Sequence, residues 1–143
     1  MKKMLMFLFS LVAVSAMASC DEKLTIYEDL PQSVKSFITT YFPDATVTHS
    51  YQDDDLINPD YEVILSNGTQ LEFSKSGDLK KVSSRSGIPT AFIPESILNY
   101  VEHHYPGVGY TEYEVGKRTY EVSLTNGLEL KFNSNFAIVE IDD

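Results

Sequence analysis

From Leu30 to the end of the chain, apolar positions alternate between two periods. Leu30, Val34, Phe37, Ile38 and Tyr41 recur at i, i+4, i+7, i+8 and i+11, which is the single stripe of an amphipathic α-helix. Ile93, Ile97, Tyr100, Val101 and His104 write the same stripe again. Pro31 and Pro94 stand in the first turn, where a missing N–H costs nothing, and Pro43 and Pro106 stop each helix from continuing. Two helices of about three turns are therefore predicted.

After each helix the period falls to 2. Tyr61, Val63 and Leu65 alternate with Glu62 and Ser66, and Leu71 and Phe73 follow Asn67-Gly68. Asn-Gly between alternating runs marks a hairpin. A two-residue Asn67-Gly68 loop would pair Val63 with Glu72 and bring an acid to the buried face. A three-residue loop, Ser66-Asn67-Gly68, pairs Leu65 with Thr69, Val63 with Leu71 and Tyr61 with Phe73, with Gly68 in the left-handed conformation. The stretch "YEVSLTNGLELKF" (Tyr120 to Phe132) matches "YEVILSNGTQLEF" (Tyr61 to Phe73) at eight of thirteen positions, so the same register pairs Leu124 with Leu128, Val122 with Leu130 and Tyr120 with Phe132.

Strands are also predicted over 47–51 and 79–83 around the first hairpin, and over 110–115 and 136–141 around the second. "LPQSVKSFITTYFPDA" (Leu30 to Ala45) aligns with "IPESILNYVEHHYPGV" (Ile93 to Val108), so the duplication includes the helices. The expected fold is α+β: two tandem helix-plus-four-strand antiparallel repeats, residues 30–84 and 93–143, separated by a Ser-, Gly- and Pro-rich linker at 85–92. Neither unit buries enough core alone, so the two are expected to join as one domain.

The apolar-Pro helix starts, the aromatic-Pro helix ends and the hairpin "YEV-x-L-[ST]-N-G-x-x-L-x-F" resemble a family of secreted bacterial proteins called PepSY-like or β-lactamase-inhibitor-like. The resemblance covers roughly residues 30–142. It implies a β-lactamase-inhibitor-like domain and a periplasmic or envelope binding protein. PepSY domains are associated with inhibition of secreted peptidases, and the inhibitor fold grips its enzyme with a concave sheet. The matching motifs are structural, so no inhibitory residue is carried over from them.

The N-terminus supplies the address. Lys2 and Lys3 precede the almost wholly apolar stretch 4–18, the order of a secretory signal peptide over residues 1–19, too short to be a good spanning helix. Ala16-Met17-Ala18 fits a small-x-small cleavage site. Met17-Ala18-Ser19-Cys20 resembles a bacterial lipobox, with Met17 where Leu is usual, and would make Cys20 the lipid-bearing first residue. Cys20 is the only cysteine, so it closes no internal disulfide. Lipidation at Cys20 and a soluble periplasmic form with a spare thiol both imply export, to the periplasm or as an outer-membrane lipoprotein. Residues 20–29 read as a tether reaching roughly 35 Å when extended.

Charge narrows the partners. The chain carries a net charge of −10, and removal of Lys2 and Lys3 with the signal peptide makes it more acidic. Such a chain repels nucleic-acid backbones and anionic lipid heads. The expected partner is a protein with a basic surface, and the membrane is reached only through an N-terminal lipid. Acidity for solubility is the simpler alternative.

Two constellations stand out. Asp53, Asp54, Asp55, Asn58 and Asp60 place five oxygen-bearing side chains in eight residues. Calcium takes six to eight oxygens, so this segment is a candidate Ca2+ site, although it lacks the mid-loop Gly and closing Glu of an EF-hand. A solvated acidic hairpin tip is the alternative. The second constellation is the strand face away from the helices, with Glu62, Ile64, Glu72, Glu121, Ser123 and Lys131 as candidate protein-binding positions. No metal-spaced His or Cys set, phosphate loop or nucleophile elbow is present, so no catalytic residue and no required cofactor are expected. His104 lies on an apolar stripe and is expected to pack at the core edge. The functional expectation is a non-enzymatic exported binding protein of the bacterial envelope that modulates a secreted or periplasmic enzyme. The alternative is a calcium-binding or calcium-responsive periplasmic module.

Overall fold

In a computed structural model the described residues are 22–53 and 61–143. Cys20, Asp54, Asp55, Asn58 and Asp60 lie outside them. In chain order the elements are β1 (Glu22–Leu24), α1 (Gln32–Tyr41), β2 (Val47–Asp53), β3 (Tyr61–Leu65), β4 (Gln70–Phe73), β5 (Leu79–Ser83), α2 (Glu95–His104), β6 (Tyr110–Val115), β7 (Thr119–Leu124), β8 (Glu129–Asn133) and β9 (Ile138–Asp142). A 3-10 turn, Tyr27–Asp29, precedes α1. No helix among the described residues is long and apolar enough to cross a membrane.

Both helices start one residue after a proline and run for ten residues, with Pro31 and Pro94 at their N-caps. The hairpin registers follow side-chain parity. Tyr61 pairs with Phe73 and Val63 with Leu71, while Tyr120 pairs with Phe132 and Val122 with Leu130. Gly68 takes φ +82° and Gly127 φ +92°, and their N–H groups donate to Leu65 O and Leu124 O. Every apolar residue of this parity then points to one side. Val63, Leu71, Phe73, Val82, Val122, Leu130 and Phe132 are all buried there, beneath Val34 and Ile38 of α1 and Ile97 and Val101 of α2. The Phe37 ring meets Phe73 edge-on at 5.5 Å, and Tyr100 meets Phe132 at 5.3 Å, which fixes both helices to the same face of the sheet.

The expectation of an α+β fold in two tandem helix-plus-four-strand repeats is corrected by the sheet itself. All described strands belong to one antiparallel sheet in the order β1-β2-β3-β4-β5-β6-β7-β8-β9, and the described residues are mostly β with two short helices. The pairing that overturns the two-unit picture is β5 with β6, through Lys81↔Glu114, Val82↔Tyr113 and Ser83↔Glu112. Left apart, both strands would expose an edge of unpaired backbone groups. Joined, they satisfy those groups and merge the apolar rows into one core. β1 adds a strand from within the segment read as a tether.

Residues 85–92 belong to this core as well. Ile88 is buried and donates its N–H to Tyr110 O at 2.9 Å. The Phe92 ring lies 5.3 to 6.4 Å from those of Phe37, Tyr41, Phe42 and Tyr113, so it joins α1 to β6. Tyr113 is buried, and that burial, followed by the nearby Tyr120, pushes its hydroxyl pKa up to about 12.

Candidate functional site

With both helices on one face, the other face of the sheet is uncovered by any described element. Register places its side chains in two transverse rows. One row runs Tyr51, Glu62, Glu72, Lys81, Glu114, Glu121, Lys131, Glu140 across β2 to β9. The adjacent row runs His49, Ile64, Gln70, Ser83, Glu112, Ser123, Glu129, Asp142 over the same strands. Together they carry eight carboxylates and two ammonium groups. The predicted positions Glu62, Ile64, Glu72, Glu121, Ser123 and Lys131 are all here, and each is partly buried by its neighbours.

The two lysines hold the rows together. Lys81 Nζ lies 2.9 Å from Glu112 and 3.5 Å from Glu114, and Lys131 Nζ lies 2.7 Å from Glu121 and 3.8 Å from Glu140. Burial pulls the Lys81 pKa down, but its hydrogen bond to Glu112 and the charges of Glu112, Glu114 and Glu72 outweigh burial and leave it raised. The hydrogen bond to Glu121 and that residue's charge hold Lys131 above the usual lysine range. Glu72 is the strained member. Burial pushes its carboxyl up, Lys81 pulls it back, and Glu62, Glu114 and Glu112 add to the upward shift.

Toward the Asn-Gly turns the second row opens into a groove of about 890 Å3, lined by Gln70, Ser83, Glu112, Ser123 and Glu129, with Arg85 at its rim. Two bulges interrupt the ladders of this face, and Thr111 of the second lines the groove. The β2–β3 register shifts between Val47 and His49, and the β6–β7 register shifts between Tyr110 and Glu112. The extra residue is a threonine in both. Thr48 Oγ1 donates to Ile64 O at 3.0 Å and Thr111 Oγ1 to Ser123 O at 3.3 Å, so a side chain crosses to the neighbouring strand where the ladder is interrupted.

Lys81, Glu112, Glu114 and Glu140 belong to the face but were absent from the sequence-derived set. Strict alternation misplaces residues beyond a bulge, and bulges interrupt β4–β5, β6–β7 and β8–β9. Of the candidate calcium residues, Asp53 is described, at the end of β2 opposite Glu22 of β1. Among the described residues no cluster of three or more His, Cys, Asp or Glu has metal-holding geometry. His104 is exposed rather than packed at the core edge. Its ring stacks on Tyr100 at 4.1 Å and Nδ1 is 2.8 Å from Tyr100 O, so the stripe ends one turn earlier, at Tyr100 and Val101.

Comparison with known proteins places this sheet among relatives. The family model described as "Putative beta-lactamase-inhibitor-like, PepSY-like" matches residues 59–140. The chain belongs to the PepSY-like family. A crystal structure described as a "putative periplasmic protein" of the DUF2874 family, from Bacteroides vulgatus ATCC 8482, is 36% identical to this PepSY-like chain. It superposes with a TM-score of 0.83, covering 87% of this chain and 99% of the other. A second, described as a "putative calcium-regulated periplasmic protein" from Bacteroides thetaiotaomicron, is 35% identical with a TM-score of 0.82, covering 86% and 98%. A third, described as a "putative periplasmic protein of unknown function" from Bacteroides vulgatus ATCC 8482, is 27% identical with a TM-score of 0.79, covering 85% and 99%. No curated protein matches the chain.

Proposed function

We propose that this PepSY-like chain is an exported, non-enzymatic binding protein of the bacterial envelope. On this proposal it holds a basic protein surface against the helix-free face and thereby modulates a secreted or periplasmic enzyme. The observation that carries it is the face itself, where eight carboxylates and two lysines lie in two adjacent rows and two of the acids, Glu112 and Glu129, line an open groove. Uneven charge on an open sheet face steers and selects oppositely charged partners. The signal-peptide pattern of residues 1–19 and relatives described as periplasmic support export, and the lipobox-like sequence at Cys20 supports an N-terminal lipid as the only membrane contact.

The test compares capture from a periplasmic extract by the exported chain and by a variant carrying Glu112→Gln, Glu114→Gln and Glu121→Gln. One stoichiometric protein, lost with the variant and with rising salt, is the expected result. A featureless capture at every salt concentration counts against the proposal.

A calcium-responsive module is the second reading. It is favoured by the relative described as calcium-regulated and by the acidic run from Asp53 to Asp60. Calcium takes six to eight oxygen ligands in flexible geometry, which suits a run of adjacent oxygen-bearing side chains.

A further inference from the structure

The nine-stranded sheet ends at β9, and we propose that β9 accepts a tenth strand from a partner, a segment in which basic and apolar side chains alternate. This surface is the edge of the sheet, distinct from the groove beside the Asn-Gly turns, and it stands whether or not the groove is occupied.

β9 pairs only with β8, and no described strand lies on its other side. The outward backbone groups of such an edge form a template for strand addition. The side chains state what would fit. Ile141 pairs with buried Leu130 on the helix side, yet it is 48% exposed, and Val139 beside it is 55% exposed. Glu140 and Asp142 end the two carboxylate rows of the opposite face. In an antiparallel addition the residue opposite Ile141 shares its apolar side, while residues opposite Glu140 and Asp142 share the acidic one. The complementary strand therefore alternates apolar with lysine or arginine.

A second copy of β9 fits poorly. Residues 133–143 contain Glu140, Asp142 and Asp143 and no Lys or Arg, so twofold pairing would gather acids without a counter-charge. The bulge at Val139 confines the regular edge to Glu140–Asp142. At its other edge the sheet already holds a strand of that length, β1, paired with β2 over three residues.

The experiment titrates the 15N-labelled exported chain with a capped hexapeptide alternating Lys and Val. A block peptide of the same composition and an alternating Glu–Val peptide serve as controls. The expected result is binding of the Lys–Val peptide alone, with slowed amide exchange confined to β9. Glu140→Lys with Asp142→Lys weakens that binding by at least about tenfold and transfers it to the Glu–Val peptide, while unchanged β3–β8 resonances show that the variant is folded. Absence of binding overturns the proposal, as does equal binding of the block peptide or concentration-dependent dimerisation through β9. Binding that perturbs the helix-free face while β9 exchange stays unchanged overturns the edge but leaves the face proposal standing.

Discussion

Glu62 and Glu72 stand directly opposite each other across the β3–β4 hairpin. Like charges at opposed positions of an antiparallel pair are destabilising, and the only ammonium beside this pair in its row is Lys81, on the far side of Glu72. Lys81 is itself engaged by Glu112 and Glu114. A hairpin chosen for stability alone would carry opposite charges here. A pair that shares its one neighbouring ammonium with two further carboxylates fits a face arranged to be neutralised by something bound.

Glu72→Gln should stabilise the protein at neutral pH. The folded-state pKa of Glu72 is raised, first by burial and then by Glu62, Glu114 and Glu112 against Lys81. The native state therefore holds this proton more tightly than the unfolded chain does. The stability linked to it is fully present below the unfolded pKa and is lost as pH rises through the folded value. Above that folded value the wild-type protein has lost it, and glutamine removes the penalty. A Tm gain on the order of 1–3 °C is expected at pH 7, shrinking toward zero near pH 4, by calorimetric scans of both proteins across that range. A gain that is the same at every pH would contradict the assignment to Glu72 ionisation.

Gly77 and Gly68 separate two costs of adding a methyl group. Both have positive φ, +85° and +82°, so alanine at either position pays roughly 1–2 kcal/mol for the left-handed conformation. A Cβ on Gly68 would meet nothing within 4 Å, whereas on Gly77 it would collide with Ser33 Oγ and lie 3.3 Å from Pro31 Cβ and 3.4 Å from Ser33 Cβ. Gly77→Ala should therefore cost about 1 kcal/mol more than Gly68→Ala, within the usual range for overpacking. Adding Ser33→Ala should recover most of that excess and leave the φ cost in place. Urea unfolding midpoints of the three variants test this, and an unchanged double mutant would place the strain elsewhere.

Phe92 should behave as a core residue despite lying in a segment rich in Gly and Pro. Its ring packs against four other aromatic rings, Phe37 and Tyr41 of α1, Phe42 at the C-cap of that helix and Tyr113 of β6. Phe92→Ala is expected to cost about 2–3 kcal/mol, less than the 3–5 kcal/mol expected for fully buried Phe73→Ala. Phe92→Leu should cost about half as much as alanine, since it keeps most of the apolar volume. Equilibrium denaturation of the three variants gives the ranking directly, and an effect below about 0.5 kcal/mol for Phe92→Ala would mean that the segment packs loosely.

The helices and hairpin registers were legible because each rests on local signals. Prolines mark the helix ends, Asn-Gly marks the turns, and parity leaves one register that keeps Glu72 off the core. What sequence could not show lies in non-local pairing. Nothing in "LKKVS" or "YTEYEV" says that β5 and β6 are neighbours, and that pairing turns two expected units into one sheet. Bulges were equally silent, because an extra Lys80 or Thr111 shifts parity without changing composition, and the charged face was accordingly underfilled. β9 begins at Ile138 rather than at the expected residue 136 because Phe136 takes φ 60° and closes the preceding turn, donating its N–H to Asn133 O. Only in the fold does it become visible that a phenylalanine, stacked 5.1 Å from Tyr120, holds a conformation usually left to glycine.

Asp53 and the acidic run behind it give the last prediction. Asp53 closes β2 in register with Glu22 of β1, where the chain enters the segment containing Asp54, Asp55, Asn58 and Asp60. If that segment holds calcium in the folded state only, a hundredfold excess over Kd adds about 2.7 kcal/mol of stability, a Tm rise of several degrees. Asp53→Asn with Asp55→Asn should abolish the rise and, by removing like charges, leave the calcium-free Tm unchanged or slightly higher. Magnesium at the same concentration should do little, because it demands near-ideal octahedral geometry that a run of adjacent side chains does not supply. Thermal unfolding of the exported chain in excess calcium, magnesium or chelator distinguishes the cases. Equal shifts with both cations would indicate general screening of an acidic surface. The absence of any shift would leave the acidic run a solvated tip, and the protein-binding reading of the helix-free face without a calcium-responsive competitor.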